Sequence, residues 1–236
     1  MTLSTTPSPL GRVLITGGSS GLGAAVAHAV AEAGGTPAII DLDVSAWHDR
    51  AVAQAADVSD RAQVEYAVAA IAEELGGIDA VVTAAGIDRC GRLEDVDATE
   101  WERVIGVNLL GTVSTVRAAL PHLERVHGRV VTIASSLALR ALPEATAYCA
   151  SKFGVLGFSR ALAAETAGRL GVTTLIPAGM QTSFFDDRPE QYRPAADAQL
   201  NDPANVARAV LFALQQPPRS EVRELVIAPE DEPSWP

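Results

Sequence analysis

The sequence has few of the features expected of a metal-binding, disulfide-bonded or nucleic-acid-binding protein. Its 236 residues include two cysteines, Cys90 and Cys149. Their spacing matches neither a zinc site nor a CxxC redox motif, so we interpret both as ordinary reduced thiols. Acidic residues outnumber basic ones, 29 against 18, giving a formal net charge of −11. A surface for nucleic acid is therefore not expected, and no cluster of histidines indicates a metal site.

Long apolar runs and N-terminal targeting features are also missing. The apolar runs are too short, or too often broken by glycine and polar residues, to predict a membrane span. No long basic run suggests attachment to a membrane surface. Residues 1–10 are predicted to be a short flexible lead, because they lack the basic start and apolar stretch of a signal peptide. We expect a cytoplasmic protein with no membrane partner.

The sequence does contain a regular alternation of apolar, β-branched runs and helical patterns. This alternation predicts an α/β fold, a Rossmann-type doubly wound parallel sheet with helices on both faces, in a single domain. The domain would cover residues 11–228, with a substrate loop over 183–203 and a C-terminal tail over 229–236. About seven strands are predicted: Arg12–Thr16, Pro37–Ile40, Ala53–Ala56, Ile78–Ala84, Gly128–Ala134, Val172–Ile176 and Glu221–Ala228.

Two connections between these strands stand out. Thr99 is predicted to cap a long helix that ends at Pro121, because proline interrupts helical hydrogen bonding. Only about fifteen residues separate Asp41 from Asp57, which leaves little room for a crossover helix. We therefore predict a single turn or loop over Asp43–Arg50.

A glycine-rich turn, Thr16–Gly23, joins the first predicted strand to the first helix. Gly17, Gly21 and Gly23 allow a tight turn and a close approach of the backbone to a ligand. The helix N-terminus offers unpaired N–H groups and a partial positive charge, which suit a pyrophosphate. The strand–turn–helix context favours a dinucleotide site over a purely structural loop.

Asp41 predicts which dinucleotide would bind. It follows the second strand, 18 residues after Gly23, where a carboxylate can accept hydrogen bonds from the adenosine ribose of NAD. The same charge would repel the 2′-phosphate of NADP, and no lysine or arginine lies between Val13 and Asp49 to bind it. The alternative is that Asp41 only caps a turn, with Asp43 as the second candidate acid.

A Tyr-x-x-x-Lys unit, Tyr148 to Lys152, suggests proton transfer. Residues four apart on a helix share a face, and a nearby ammonium favours the phenolate of a tyrosine. Ser135 lies thirteen residues before Tyr148, at the end of the fifth predicted strand, where ligands of parallel sheets bind. Ser136 is the alternative, with a spacing of twelve.

In their order and spacing, these motifs resemble those of the short-chain dehydrogenase/reductase family, from Gly11 to about Ile227. The resemblance implies four catalytic residues. Tyr148 would be the general acid/base, and Lys152 would also bind the nicotinamide ribose. Ser135 would hold the substrate oxygen, and Asn108 would hold a water that links Lys152 to a proton relay.

The resemblance also implies a cofactor site along the strand ends, in which Asp57 and Val58 would contact the adenine. Two residues depart from the family pattern, since Thr83 stands where asparagine is usual and Ala178 where glycine is usual. The implied cofactor-binding residues are Gly17, Ser19, Ser20, Gly21, Leu22, Gly23, Asp41, Leu42, Asp57, Val58, Ala84, Ala85, Gly86, Tyr148, Lys152, Pro177, Ala178, Gly179, Met180 and Thr182.

Together these observations predict an NAD(H)-dependent oxidoreductase that transfers a hydride between nicotinamide and a secondary alcohol or ketone. Phe184, Phe185 and Leu142 would form apolar substrate walls, unless they only pack the loop. Arg188 or Arg193 could bind an acidic group of the substrate, although solvated loop charges are the favoured interpretation. The resemblance implies a homodimer or homotetramer. An NADP-dependent carbonyl reductase and a non-catalytic dinucleotide-sensing or scaffold protein on the same fold remain the alternatives.

Overall fold

Seven short, mostly apolar segments form one parallel sheet in the computed structural model, which describes residues 8–231. The strands are β1 (Arg12–Thr16), β2 (Thr36–Asp41), β3 (Val52–Ala55), β4 (Ala80–Thr83), β5 (Arg129–Ile133), β6 (Gly171–Pro177) and β7 (Glu224–Ile227). Their order across the sheet is β3-β2-β1-β4-β5-β6-β7, and all neighbours are parallel. The predicted Rossmann-type doubly wound sheet is confirmed. Residues 1–7 of the predicted lead and 232–236 of the predicted tail lie outside the described residues.

Helices cover both faces of this sheet. They are α1 (Gly21–Glu32), α2 (Arg61–Leu75), α3 (Ala98–Ile105), α4 (Gly111–Val126), α5 (Thr146–Glu165) and α6 (Pro203–Leu214). Successive strand residues point to opposite faces, so Leu14 packs with α2, α4 and α5, whereas Val13 and Ile15 pack with α1 and α6. The strand ends between these two layers are therefore free to form a site.

The long helix after β4 differs from the prediction at both ends. Asp97, not Thr99, is its N-cap, because the Asp97 side chain accepts hydrogen bonds from the backbone N–H of Thr99 and of Glu100. Pro121 lies inside α4, which continues to Val126. Buried apolar residues on either side of Pro121 hold the last turns against the core, and this packing outweighs the hydrogen bond that proline removes.

Residues 106–110 join α3 to α4 as a π-helical segment, so the helix is continuous from Ala98 to Val126. It is 29 residues long, with a mean hydropathy of 1.3 in its most apolar stretch, which by length and composition alone is enough to cross a membrane. The sequence-based expectation missed this because it ended the helix at Pro121. Its α4 part packs against α2 and β4, and 39% of the most apolar stretch is buried within the protein. A single helix of this kind is weak evidence for a membrane span.

Candidate active site

A cavity of about 1250 Å³ opens at the carboxyl ends of the central strands, where open parallel sheets bind their ligands. Ser135, Tyr148 and Lys152 line it, together with all of the predicted cofactor residues except Ser19. Asn108 lies behind the cavity wall and is 1% exposed. The structure thus brings the two sequence motifs together in one cavity.

Two glycines of the turn, Gly17 and Gly23, leave no room for a side chain. A Cβ atom on Gly23 would lie 2.0 Å from the Gly17 carbonyl oxygen, and one on Gly17, at φ 69°, would lie 2.7 Å from the Ala85 backbone. Ser20, the N-cap of α1, makes no side-chain capping bond within the described chain. The first N–H groups of α1 therefore remain for an anion, and these residues fit a dinucleotide pyrophosphate.

Asp41 holds the glycine turn and also faces the cavity. Its Oδ2 atom accepts from the Ser19 backbone N–H at 2.9 Å, and its Oδ1 atom accepts from that of Leu42 at 2.7 Å. Leu42 beside it is 66% exposed. Each carboxylate oxygen can accept a further hydrogen bond. The turn-capping geometry is therefore present, and the predicted contact to a ribose stays a prediction.

Trp47 contacts the glycine turn through a hydrogen bond to the turn's backbone. The β2–β3 connection contains a single 3₁₀ turn, Ser45–Trp47, as the short spacing predicted. Trp47 is buried, packs on His28 with the ring centroids 5.0 Å apart, and donates from its Nε1 atom to the Gly18 carbonyl at 2.9 Å. A tryptophan thus occupies the place of a crossover helix and restrains the turn.

Tyr148 and Lys152 lie on the first turns of α5 and share a face. The Lys152 Nζ atom lies 5.5 Å from the Tyr148 ring centroid and donates to the Ile133 carbonyl at 2.9 Å. Burial lowers the pKa of Lys152 from 10.5 to about 8, and the charge of Asp88 opposes that shift. Lys152 is the only lysine of the chain.

The pKa of Tyr148 shifts against the sequence-based expectation. Burial raises it, and this exceeds the lowering caused by a side-chain hydrogen bond with Ser135. The expectation that Lys152 makes the phenolate favourable is therefore not met by the protein alone. Desolvation of the phenolate is the largest cause of the shift, and Lys152, which is bonded to a main-chain carbonyl, is not among the groups that lower the pKa of Tyr148.

Ser135 is placed as predicted. It is the N-cap of a short 3₁₀ turn after β5, and its Oγ atom accepts from the Leu137 backbone N–H at 3.1 Å. It also forms the hydrogen bond that lowers the pKa of Tyr148. This contact favours Ser135 over Ser136 as the group next to the reacting oxygen.

Asn108 lies in the π-helical segment and braces the cavity wall. Its Nδ2 atom donates to the Ile87 carbonyl at 2.9 Å and to the Ser151 Oγ atom at 3.0 Å. Its Oδ1 atom accepts from the Ile87 backbone N–H at 2.8 Å. A Cβ atom on Gly86 would lie 3.4 Å from that Oδ1 atom and 3.7 Å from the Lys152 Nζ atom. Asn108 and Lys152 thus flank Gly86, and the predicted water stays a prediction.

The two departures from the family pattern differ in their consequences. Ala178 is not among the residues with a positive φ, so the backbone here does not require glycine. It is buried, and its N–H donates to the Ile227 carbonyl at 3.0 Å. The buried Thr83 Oγ1 atom has no hydrogen-bond partner among residues 8–231. The threonine at position 83 thus leaves one polar atom unsatisfied. Thr83 does not line the cavity that contains Ser135, Tyr148 and Lys152.

Sequence reasoning named Arg188 as a candidate for binding an acidic substrate group, but it did not predict that Arg188 pairs with Asp88 in the cavity wall. The Arg188 Nη2 atom lies 2.5 Å from the Asp88 Oδ2 atom, although the two residues are 100 positions apart. Cys90, next to them, donates to Asp88, and burial raises its pKa to about 12, so it is no reactive thiol. The charge of Asp88, shortly after Ala84–Gly86 in the segment that follows β4, was a usable signal, but nothing in the sequence indicated its partner.

Comparison with known proteins agrees with these observations. A family model described as short chain dehydrogenase matches residues 12–193. D-threitol dehydrogenase of Mycolicibacterium smegmatis is 39% identical over 183 residues, which cover 72% of this chain and 70% of that protein. Glycine betaine reductase ATRR of Emericella nidulans is 35% identical over 93% of this chain, which spans only 19% of that longer protein.

Solved structures share the whole fold. The ligand-free aldohexose dehydrogenase of Thermoplasma acidophilum superposes with a TM-score of 0.85 at 26% identity, covering 94% of this chain and 95% of that one. A short chain dehydrogenase from Burkholderia cenocepacia in complex with NADP gives a TM-score of 0.83 at 30% identity, covering 94% and 98%.

Proposed function

Because the chain belongs to the short-chain dehydrogenase/reductase family and is an oxidoreductase acting on alcohols or ketones, we propose that it interconverts a secondary alcohol and its ketone with NAD(H). One observation carries this proposal. Ser135, Tyr148 and Lys152 line the same cavity as the glycine turn. A proton-transfer group and a cradle for a dinucleotide are thereby combined in a single site.

Tyr148 transfers the hydroxyl proton in this proposal. During oxidation its phenolate takes the O–H proton of the alcohol, and during reduction its phenol returns that proton to the carbonyl oxygen. The raised pKa means that the free protein holds Tyr148 as the neutral phenol. Ser135 orients the substrate oxygen, and protonated Lys152 would favour the phenolate together with the positive charge of the bound nicotinamide. The dinucleotide, when bound, accepts or supplies the hydride.

The preference for NAD over NADP rests on Asp41. Its carboxylate lines the cavity beside the exposed Leu42, and the turn that it holds contains no basic side chain. A 2′-phosphate at this position would meet a negative charge without a compensating cation. Two similar solved structures hold an NADP-type dinucleotide, the one from Burkholderia cenocepacia and an alcohol dehydrogenase from Thermococcus sibiricus complexed with 5-hydroxy-NADP, so the proposed preference for NAD depends on the acid at position 41.

Titration of the protein with NADH and with NADPH, followed by nicotinamide fluorescence, tests this preference. We expect tighter binding of NADH, and we expect Asp41→Ala to remove most of the difference. Asp43→Ala is the matched control, because the exposed Asp43 carboxylate caps Ser45 instead of the glycine turn. Equal or tighter binding of NADPH would overturn the NAD assignment, and binding of neither would favour the scaffold alternative.

We propose that the protein acts as a homodimer or homotetramer in the cytoplasm. Supporting this, Leu110 in the π-helical segment and Phe153 on α5 are more than 40% exposed, and Phe212 on α6 is 55% exposed. Large apolar side chains that point into solvent on helices are candidates for burial between subunits. Light scattering after size-exclusion chromatography measures the mass directly, and a mass of one chain would contradict the proposal.

A further inference from the structure

A buried ion pair forms part of the cavity wall away from the glycine turn. Asp88 follows β4 and Arg188 follows β6, and their side chains are 3% and 17% exposed. Both residues line the cavity. A purely apolar substrate would gain little from such a wall, because charged groups removed from water need hydrogen-bonding partners.

Aromatic rings connect this pair to the proton-transfer residue. The Arg188 guanidinium carbon lies 4.6 Å from the Phe185 ring centroid and 5.4 Å from that of Phe184. The Phe184 centroid is in turn 5.7 Å from that of Tyr148. The charges of Asp88 and Arg188 also act on the pKa of Tyr148, in opposite directions. The pair therefore lies within the reach of a small molecule whose reacting oxygen is at Tyr148.

The pair keeps hydrogen-bonding capacity that the protein does not use. Among the described residues, Arg188 donates from Nη2 to Asp88 and from Nη1 to the Tyr192 carbonyl at 3.2 Å, while its buried Nε atom has no partner. A guanidinium has five N–H donors. Asp88 accepts from Arg188 and Cys90 at Oδ2, and from the Arg89 backbone N–H at Oδ1. Each carboxylate oxygen has about two lone-pair positions, so Oδ2 is fully used and one accepting position remains at Oδ1.

The opposite charges of Asp88 and Arg188 determine which kind of substrate group can bind to their free hydrogen-bonding positions. An anionic group near Arg188 would also meet Asp88, and a cationic group near Asp88 would also meet Arg188. A neutral hydroxyl meets neither repulsion, and it both donates and accepts a hydrogen bond. A methyl group in the same place would leave the polar atoms of the wall unpaired.

We propose that Asp88 and Arg188 bind a second hydroxyl group of the substrate, which is therefore a neutral polyhydroxylated alcohol or the corresponding hydroxy ketone. This inference rests on the proposed function and narrows its substrate class. It also revises the sequence-based expectation of an apolar substrate, since Phe184 and Phe185 pack against the guanidinium.

Four-carbon alcohols matched in size test the proposal with NAD as acceptor. The probes are 2-butanol, 2,3-butanediol, threitol and 3-hydroxybutyrate. We expect kcat/KM to rise at least about tenfold from 2-butanol to 2,3-butanediol and to be as high or higher for threitol, because a site built to bind a hydroxyl discriminates strongly against its absence. The carboxylate of 3-hydroxybutyrate should bring no gain. A preference for 2-butanol or for 3-hydroxybutyrate would overturn the proposal.

Two carboxylate-to-carboxamide variants separate recognition from stability of the wall. Asp88→Asn should reduce the ratio of kcat/KM for 2,3-butanediol to that for 2-butanol by at least about fivefold. Glu100→Gln breaks a similar pair, with the neighbouring Arg89 at 2.6 Å, but Glu100 does not line the cavity, so the ratio should stay unchanged. An equal loss on both probes in Asp88→Asn would show that the pair only fastens the loop, and would overturn the proposal.

Two further results make the test decisive. If Asp88→Asn does not fold, as judged by its thermal melt, Arg188→Gln replaces it with the same expected loss of the ratio. Failure to bind either dinucleotide would refute the proposed function itself. Binding of the dinucleotide with turnover of 2-butanol alone, or of none of the four probes, would refute only the polyhydroxylated substrate.

Discussion

The two ends of the cavity are built from different parts of the chain. At the proposed dinucleotide end, the wall includes the backbone of a short turn, and the shape of this turn depends on the missing side chains at Gly17 and Gly23. At the substrate end, the wall is an ion pair between side chains 100 residues apart. The first kind of site is local and can be recognised from sequence, whereas the second exists only after the sheet has assembled.

Tyr148 and Lys152 lie between these ends and share properties of both. Their spacing is local, so the helix places them on one face. Their pKa shifts are not local, because burial is the largest cause of each. Variants along the cavity can therefore test how far the two ends are independent.

The largest effect, on turnover, is expected at Tyr148. Tyr148→Phe should reduce turnover about 10²- to 10⁴-fold, because the proton-transfer group is lost. The affinity for NADH should change less than about threefold, since the glycine turn and its helix are untouched. Steady-state kinetics and a fluorescence titration measure the two quantities. Tyr66→Phe, on the surface of α2 and 74% exposed, is the control. Retained turnover in Tyr148→Phe would assign the acid/base role elsewhere.

The dinucleotide end should tolerate no added atom. Gly23→Ala would bring a Cβ atom within 2.0 Å of the Gly17 oxygen, so we expect about 3 kcal/mol of destabilisation and loss of NADH binding. Gly157→Ala is the matched control, because an added Cβ there meets nothing within 4 Å. In the interior of α5 it should stabilise by about 0.5–1 kcal/mol. Denaturant unfolding checks both values, and wild-type behaviour of Gly23→Ala would contradict the geometry.

Lys152 should make stability depend on pH. Its pKa is about 8 in the folded protein and 10.5 when unperturbed, so the unfolded chain binds the proton more tightly. Between these values stability should rise with pH, and below about 8 the buried charge should cost about 3 kcal/mol at most. Lys152→Met should abolish this rise and increase the free energy of unfolding near neutral pH, while turnover is lost.

Because Lys152 is the only lysine, protein labelled with [¹³Cε]lysine should show a single lysine resonance. In the absence of dinucleotide its titration midpoint should lie near 8. A midpoint near 10.5, or a stability that falls over this interval, would show that burial of the ammonium is not the controlling factor.

The smallest effect, a modest loss of NADH affinity, is expected at Trp47, which is hydrogen-bonded to the glycine turn. Trp47→Phe removes the hydrogen bond to the Gly18 carbonyl and should weaken NADH binding about three- to tenfold, as expected for one net hydrogen bond. Trp101→Phe removes a similar hydrogen bond, from Trp101 on α3 to Thr146 on α5. Neither residue lines the cavity, so NADH affinity should stay unchanged. Equal effects of both variants would mean that Trp47 acts through general stability.

Features that depend on neighbouring residues were predicted correctly more often than features that depend on contacts between distant residues. The strands, the glycine turn and the placement of Ser135 before Tyr148 were predictable, because hydrophobic alternation and short spacings report local geometry. Pro121 was wrongly predicted to end its helix, since the buried residues Ala119 and Leu123 keep the last turns packed on the core. Asp97 was missed as the cap in favour of Thr99, two residues away, a boundary that periodicity alone does not resolve.

By itself, the sequence determined the alternating fold, the family and the local motifs, because these depend on spacings of a few residues along one strand or helix. Tertiary structure alone decided that Asp88 meets Arg188, that Trp47 supports the glycine turn, and that burial shifts Lys152 and Tyr148. Each of these depends on which distant segments exclude water from a side chain, and no periodicity in the sequence encodes that exclusion.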